Sequence, residues 1–143
     1  MKEVWSNDTP RFSGNFVQIE QALYFAPKPL QRPHPPIWVG GESTSALKRV
    51  VEFGDGWHIG LIGLEAIKPK FAQLRVLMAA AGRDFSHLEI TSMVDNRALS
   101  ATEVRAYRDI GVTGLYVVAP GPDPKSVLSL MREFAKKVQD ALS

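Results

Sequence analysis

The feature that most constrains the fold is a regular alternation of short apolar runs with amphipathic segments. It begins at Pro36 and repeats four times in the 143-residue chain. The apolar runs lie near residues 36–40, 56–60, 88–94 and 114–118. Parallel strands need a helical crossover between them, so this alternation predicts a parallel α/β sheet covered by helices. The runs read as apolar on both faces, which is typical of strands buried on two sides.

Capping residues mark the expected helix boundaries. Serine, threonine and aspartate accept hydrogen bonds from the first backbone N–H groups of a helix, and glycine takes the left-handed conformation that ends one. The expected N-terminal caps are Ser43 or Thr44, Ser100 and Asp123. The expected C-terminal glycines are Gly54, Gly82 and Gly111. Because Pro69 is tolerated only in a first turn, we expect the second helix to begin near Lys68 rather than Leu64.

The first 35 residues have a different character. Residues 7–10 are rich in turn formers, two extended pieces are expected over Phe12–Ile19 and Ala22–Phe25, and a proline-rich run follows over 27–36. Such a run is neither a helix nor a central strand. We therefore predict two parts, an irregular segment over residues 1–35 and four β/α units over residues 36–143.

Composition excludes several classes of function. The net charge is +2 and the basic residues are dispersed, so nucleic-acid binding is not expected. No apolar run approaches the roughly 18 residues of a membrane span. The absence of cysteine excludes disulfides and thiolate metal sites and fits a reducing, cytoplasmic setting. No histidines have metal-ligand spacing, and no nucleophile–base pair is visible, so no catalytic residue is assigned.

Several segments carry a resemblance to a known family: Trp5–Asp8, Phe12–Phe16, Arg32–Gly41, Ser43–Leu47, Gly54–His58 and Ala81–Asp84. Together they resemble the luciferase-like monooxygenase superfamily. The resemblance is nearest to the branch that uses an 8-hydroxy-5-deazaflavin coenzyme (coenzyme F-420 type). It covers essentially the whole chain.

The resemblance implies a fold and an activity. The family fold is a (β/α)8 TIM barrel, whose last four β/α units correspond to this chain and whose first four have no counterpart in it. We therefore expect the C-terminal half of such a barrel, preceded by an irregular insertion segment. The implied function is that of a flavin- or deazaflavin-dependent oxidoreductase or monooxygenase, with a deazaflavin or FMN as cofactor. The expected partner is the missing N-terminal half-barrel or a second copy of the chain.

Two other functions are compatible with the residues. One is a non-catalytic half-barrel that self-associates or binds a phosphorylated ligand. The other is a small α/β interaction domain. Two copies pairing through the open first and last strands would favour the half-barrel, because unpaired strand edges are templates for association.

The candidate site lies where the first strand meets the first helix. Gly40 and Gly41 allow close backbone approach, and the following helix N-terminus favours an anion, so the resemblance implies that this turn holds a cofactor phosphate. A plain tight turn is the alternative. Alternation places Trp57 and His58 on opposite faces of the second strand, and His58 is either a pocket residue or a packed histidine. Glu42 is expected to point away or to cap the helix. The expected cofactor-binding residues are Val39, Gly40, Gly41, Ser43, Trp57 and His58.

Overall fold

The irregular beginning of the chain forms a unit of its own. The computed structural model describes residues 1–20 and 24–143 and divides into the units Met1–Pro36 and Ile37–Ser143. The first unit contains helix α1 (Lys2–Ser6) and the antiparallel strands β1 (Phe12–Ser13) and β2 (Gln18–Ile19). The extended piece expected over Ala22–Phe25 overlaps residues 21–23, which lie outside the described residues.

The second unit contains the predicted alternation of strands and helices. Its strands are β3 (Trp38–Gly40), β4 (Gly56–Ile59), β5 (Glu89–Val94) and β6 (Gly114–Val117). Its helices are α2 (Thr44–Phe53), α3 (Leu64–Ala80), α4 (Ala101–Ile110) and α5 (Pro124–Leu142), with a 3₁₀ turn at Phe85–His87. The sheet order is β3-β4-β5-β6, and each neighbouring pair is parallel. The predicted parallel α/β arrangement is confirmed, and β3 and β6 are its two edges.

Most of the predicted helix caps are present. The Ser43 hydroxyl accepts the Ala46 N–H at 3.1 Å and caps α2. Ser100 and Glu103 form a capping box at the start of α4, as their spacing predicts. Asp123 caps α5, and hydrogen bonds from the Ser126 side chain and backbone hold the pKa of this carboxyl below its usual value. The glycines that end helices in the left-handed region are Gly82 and Gly111, with φ of +65° and +108°.

Gly54 is a correction to the prediction. It ends α2 with φ −75° and ψ 137°, which is extended backbone and not the left-handed conformation expected there. A β-carbon at this position would lie 3.0 Å from the Val50 backbone and 3.2 Å from a methyl group of Val39. The glycine is therefore favoured by the close approach of α2 to β3, a tertiary contact that local turn chemistry does not reveal.

The start of α3 was also predicted wrongly. The helix begins at Leu64 and contains Pro69, instead of starting near Lys68. Proline removes the N–H that would bond to the Glu65 carbonyl, at a cost of about 3 kcal/mol. The earlier start buries Ile67 completely in the core, and burying such a side chain contributes about 1.5–3 kcal/mol. Tertiary burial thus offsets much of the local penalty.

The core lies between the sheet and its helices. The side chains that are completely buried there include Leu47, Val50, Trp57, Ile59, Ile67, Leu74 and Ile90. The opposite side of the sheet, here called the open face, carries Trp38, His58, Thr91 and Tyr116. The prediction that the strands are apolar on both faces therefore holds only for the helix-covered face.

Part of the apolar stripe on α5 is not covered. Phe134 and Val138 pack against the core, but Leu128 and Met131 are about half exposed. Within the described ranges, no helix is both long enough and apolar enough to cross a membrane.

Candidate functional site

The turn that follows β3 is fixed by strand β4. Gly41 has φ +100°, a conformation that residues with a β-carbon rarely adopt. Its N–H donates to the His58 carbonyl at 3.2 Å, and its carbonyl accepts the indole N–H of Trp57 at 2.9 Å. The Gly40–Gly41 turn is therefore held in one shape before any ligand arrives.

The Gly40–Gly41 turn opens onto the beginning of α2. A β-carbon at Gly40 would meet nothing within 4 Å, so there is free space beside this backbone. Ser43 caps the helix, and its hydroxyl lies 3.0 Å from that of Ser45. Helix α2 begins at Thr44, four residues after Gly40, and the dipole of this ten-residue helix favours negative charge at its N-terminus. These residues fit a phosphate group.

Glu42 is engaged elsewhere. Its carboxylate accepts the Gly60 N–H at 2.6 Å, in the loop that follows β4. Of the two roles expected for Glu42, helix capping is excluded, because Ser43 caps α2. The hydrogen bond to Gly60 directs the carboxylate to the β4 loop and so reduces its conflict with an anion at the turn.

His58 lies on the open face, next to the Gly40–Gly41 turn. Gly40 and His58 are partners in the register of β3 and β4. The His58 Nδ1 atom lies 2.9 Å from the Thr91 hydroxyl oxygen, and its ring is perpendicular to that of Tyr116 at 5.3 Å. A cavity of about 420 Å³ adjoins these side chains and also contacts Trp38 and Met93.

Trp38 forms an aromatic wall of this cavity. It lies over Gly56, where a β-carbon would come within 2.5 Å of the indole ring. The residue at position 56 must therefore lack a side chain for Trp38 to lie flat on the sheet. Since Gly56 precedes His58 by two residues, the indole is placed on the same face as the imidazole.

The predicted site residues divide between two faces of the sheet. Gly40, Gly41, Ser43 and His58 lie around the turn and the open face. Val39 and Trp57 are buried on the helix-covered face, where Trp57 contacts the turn through its bond to Gly41. Direct cofactor contact by these two side chains stays a prediction.

Four residues of the open face that line this cavity were missed by the sequence reasoning: Trp38, Thr91, Met93 and Tyr116. Each lies on the His58 side of its own strand, and strand alternation is the signal that would have found them.

The comparison with protein families gives one match that spans nearly the whole chain. A family model described as luciferase-like monooxygenase matches residues 1–138. The chain is also similar to the FMNH(2)-dependent dimethylsulfone monooxygenase of Pseudomonas putida, with 34% identity over 82 residues. That similarity covers 57% of this chain and 22% of the relative.

Solved structures match the fold at low sequence identity. An F420-dependent secondary alcohol dehydrogenase in complex with an F420-acetone adduct has a TM-score of 0.72 and 12% identity, and the match covers 96% of this chain and 58% of that one. A monooxygenase from Streptomyces bottropensis has a TM-score of 0.72 and 18% identity, with 99% and 58% covered. The coenzyme F420 dependent tetrahydromethanopterin reductase from Methanopyrus kandleri has a TM-score of 0.74 and 12% identity, with 99% and 60% covered. The chain thus spans about three fifths of the length of these structures and about a fifth of the Pseudomonas relative.

Proposed function

The chain belongs to the luciferase-like monooxygenase family, and from this premise we propose that it is the cofactor-tail-binding part of a flavin- or deazaflavin-dependent oxidoreductase. The observation that carries the proposal is the Gly40–Gly41 turn, with its open backbone and adjacent helix N-terminus. Proteins similar to this chain are named as FMNH(2)-dependent and F420-dependent enzymes, which supports FMN or a deazaflavin of the F-420 type.

The residues of this chain hold and orient the cofactor. Gly40, Gly41 and Ser43 would bind the phosphate of its tail. Trp57, on the helix-covered face, would stabilise the turn through its hydrogen bond to the Gly41 carbonyl. When bound, such a cofactor supplies hydride transfer or the reaction of its reduced form with oxygen. The segments that resemble the deazaflavin branch favour the F-420 type of coenzyme.

We further propose that residues 36–143 form the C-terminal half of a (β/α)8 barrel. Four parallel strands with two open edges are half of the eight strands that close such a barrel. In an intact barrel, the carboxyl ends of the strands form the active site, which is where the Gly40–Gly41 turn lies.

Replacing Gly41 by valine tests the phosphate site. A β-branched residue is strained at φ +100°, so the turn must change shape, and we expect FMN to bind at least tenfold more weakly. Riboflavin has the same ring system without the phosphate, and its affinity should be unchanged. Both affinities can be measured on the full chain by titration calorimetry.

Gly82→Val is the matched control for this experiment. Gly82 also has a positive φ, +65°, and an open surrounding, but it lies after α3 and away from the turn. Its replacement should leave FMN affinity unchanged. Equal FMN affinity in the wild-type chain and in Gly41→Val would refute the phosphate assignment.

A second candidate function, self-association as a half-barrel, is favoured by the open sheet edges. Among the strands of residues 1–20 and 24–143, β3 and β6 each pair on one side only, and Leu128 and Met131 are about half exposed on α5. We expect a dimer or larger species in sedimentation at micromolar concentration. Met131→Lys should shift the oligomeric state toward monomer, whereas the control variant Arg132→Lys should leave it unchanged. A single cooperatively unfolding monomer would contradict this candidate.

A further inference from the structure

We propose that Thr91 holds the His58 ring in the tautomer that presents its Nε2–H to the cavity of the open face, where this N–H binds a carbonyl or anionic oxygen of a ligand. The inference deepens the proposed function, because the cavity adjoins the Gly40–Gly41 turn through the register pair Gly40 and His58. Thr91 is then a positioning residue, and His58 is the residue that touches the ligand.

The tautomer follows from the hydrogen bonds available to Thr91. Its side chain is 6% exposed, and its hydroxyl lies 2.9 Å from His58 Nδ1. In the part of the chain that the structure describes, this hydroxyl has no other hydrogen-bond partner. A proton on Nδ1 would leave the buried Thr91 O–H without an acceptor, which is costly. The favoured arrangement has the hydroxyl donating to Nδ1, which places the ring proton on Nε2.

The space beside His58 allows a ligand to reach this N–H. Gly40 is opposite His58 in the register and carries no side chain, and a β-carbon there would meet nothing within 4 Å. The perpendicular contact with Tyr116 restricts rotation of the imidazole. Across residues 1–20 and 24–143, no protein group accepts a hydrogen bond from Nε2. The N–H is therefore positioned for an acceptor that comes from outside the chain.

The walls of the cavity indicate the shape of that ligand. Trp38 and Tyr116 contribute aromatic rings, Met93 contributes a thioether, and the volume is about 420 Å³. Aromatic and thioether walls suit a ring-shaped, largely apolar molecule, while the His58 N–H requires an oxygen acceptor on it. Both the ring system of a flavin-type cofactor and a small carbonyl substrate have this chemistry. Two probes distinguish them: riboflavin represents the cofactor ring, and cyclohexanone represents the carbonyl substrate.

The tautomer can be read directly by ¹⁵N NMR of the imidazole nitrogens. The chain has three histidines, and a His58→Gln variant assigns the signal of His58. At a pH where the ring is neutral, we expect Nε2 to carry the proton in the wild-type chain. Thr91→Val is isosteric and removes the hydroxyl, so the preference should be lost, and Thr91→Ser should restore it. A proton on Nδ1 in the wild-type chain, or an unchanged spectrum in Thr91→Val, would overturn the inference.

Ligand binding gives the second readout. The probe whose oxygen binds should shift the His58 Nε2 signal, and its affinity should fall about five- to tenfold in His58→Phe and in Thr91→Val, the effect of losing one hydrogen bond. His87→Phe is the matched control, because the His87 side chain is 84% exposed and lies before β5. Equal affinity in the wild-type chain and Thr91→Val, or no binding of either probe at millimolar concentration, overturns the inference. The change in FMN affinity in Gly41→Val is measured separately. Failure of the proposed phosphate site can therefore be distinguished from failure of the inference about His58 and Thr91.

Discussion

Replacing Trp57 by alanine is expected to lower the free energy of unfolding by about 3–5 kcal/mol, the usual cost of truncating a fully buried large aromatic side chain. Trp57 is completely buried, its ring packs on that of Phe71 at 5.3 Å, and its indole N–H donates to the Gly41 carbonyl. The variant loses the packing and the hydrogen bond together. Urea denaturation followed by circular dichroism measures the change without depending on tryptophan fluorescence.

Two further variants separate the contributions of Trp57. Trp57→Phe keeps an aromatic ring in the core and loses the bond to Gly41, so we expect a loss of about 1–3 kcal/mol. Trp38→Ala removes an indole that is 38% exposed on the open face, and its cost should be the smaller of the two alanine variants. If Trp57→Ala destabilised the chain no more than Trp38→Ala, Trp57 would not have the structural role that its burial indicates.

Arg83→Met is expected to destabilise the chain by about 2–3 kcal/mol. The Arg83 guanidinium donates to the carbonyls of Val50, Val51 and Gly54 at 2.7–2.8 Å, and so binds the end of α2 from the turn that follows α3. The carbonyls of the last helical turn, such as that of Val51, have no partner within the helix, while the Val50 carbonyl also accepts the Gly54 N–H. A cation at this end also interacts favourably with the helix dipole. Methionine fills a similar volume and provides none of these hydrogen bonds.

Arg75→Met is the matched control for this prediction. The Arg75 guanidinium lies 3.9 Å from the centre of the Phe85 ring and makes one long bond, 3.4 Å, to the Ile110 carbonyl. An exposed contact of this kind contributes about 0.5–1 kcal/mol. Equal losses in the two variants, measured by urea denaturation, would show that the three bonds of Arg83 do not stabilise the end of α2.

The features that the sequence predicts correctly depend on residues close together in the chain. Ser43 and Ser100 cap the helices that begin beside them, and Gly111 ends the helix directly before it. Gly54 and Pro69 were interpreted from the same local rules, and both interpretations failed. The packing of α2 on β3 decides the first, and the burial of the α3 face decides the second. Local capping chemistry cannot anticipate contacts between elements that meet only after the sheet has formed.

The candidate site also contains features that the sequence predicts and features that it does not. The opposite orientations of Trp57 and His58 follow from alternation between neighbours in one strand, and the structure shows them. The contact of His58 with Thr91 joins residues 33 positions apart. Predicting it requires the register of β4 against β5, and in a parallel sheet the long crossover does not fix that register. Trp38 was interpreted as a member of an apolar run, although its ring lies on the open face.

The contact of Trp38 with Gly56 has a consequence for how this sequence can diverge. A β-carbon at position 56 is compatible with the fold only if the indole at position 38 moves away or is replaced by a smaller side chain. Substitution at either position therefore changes which residues are tolerated at the other. In natural variants that lose the glycine, we therefore expect either a smaller side chain at position 38 or an indole displaced from the sheet, although the two positions are 18 residues apart in the chain.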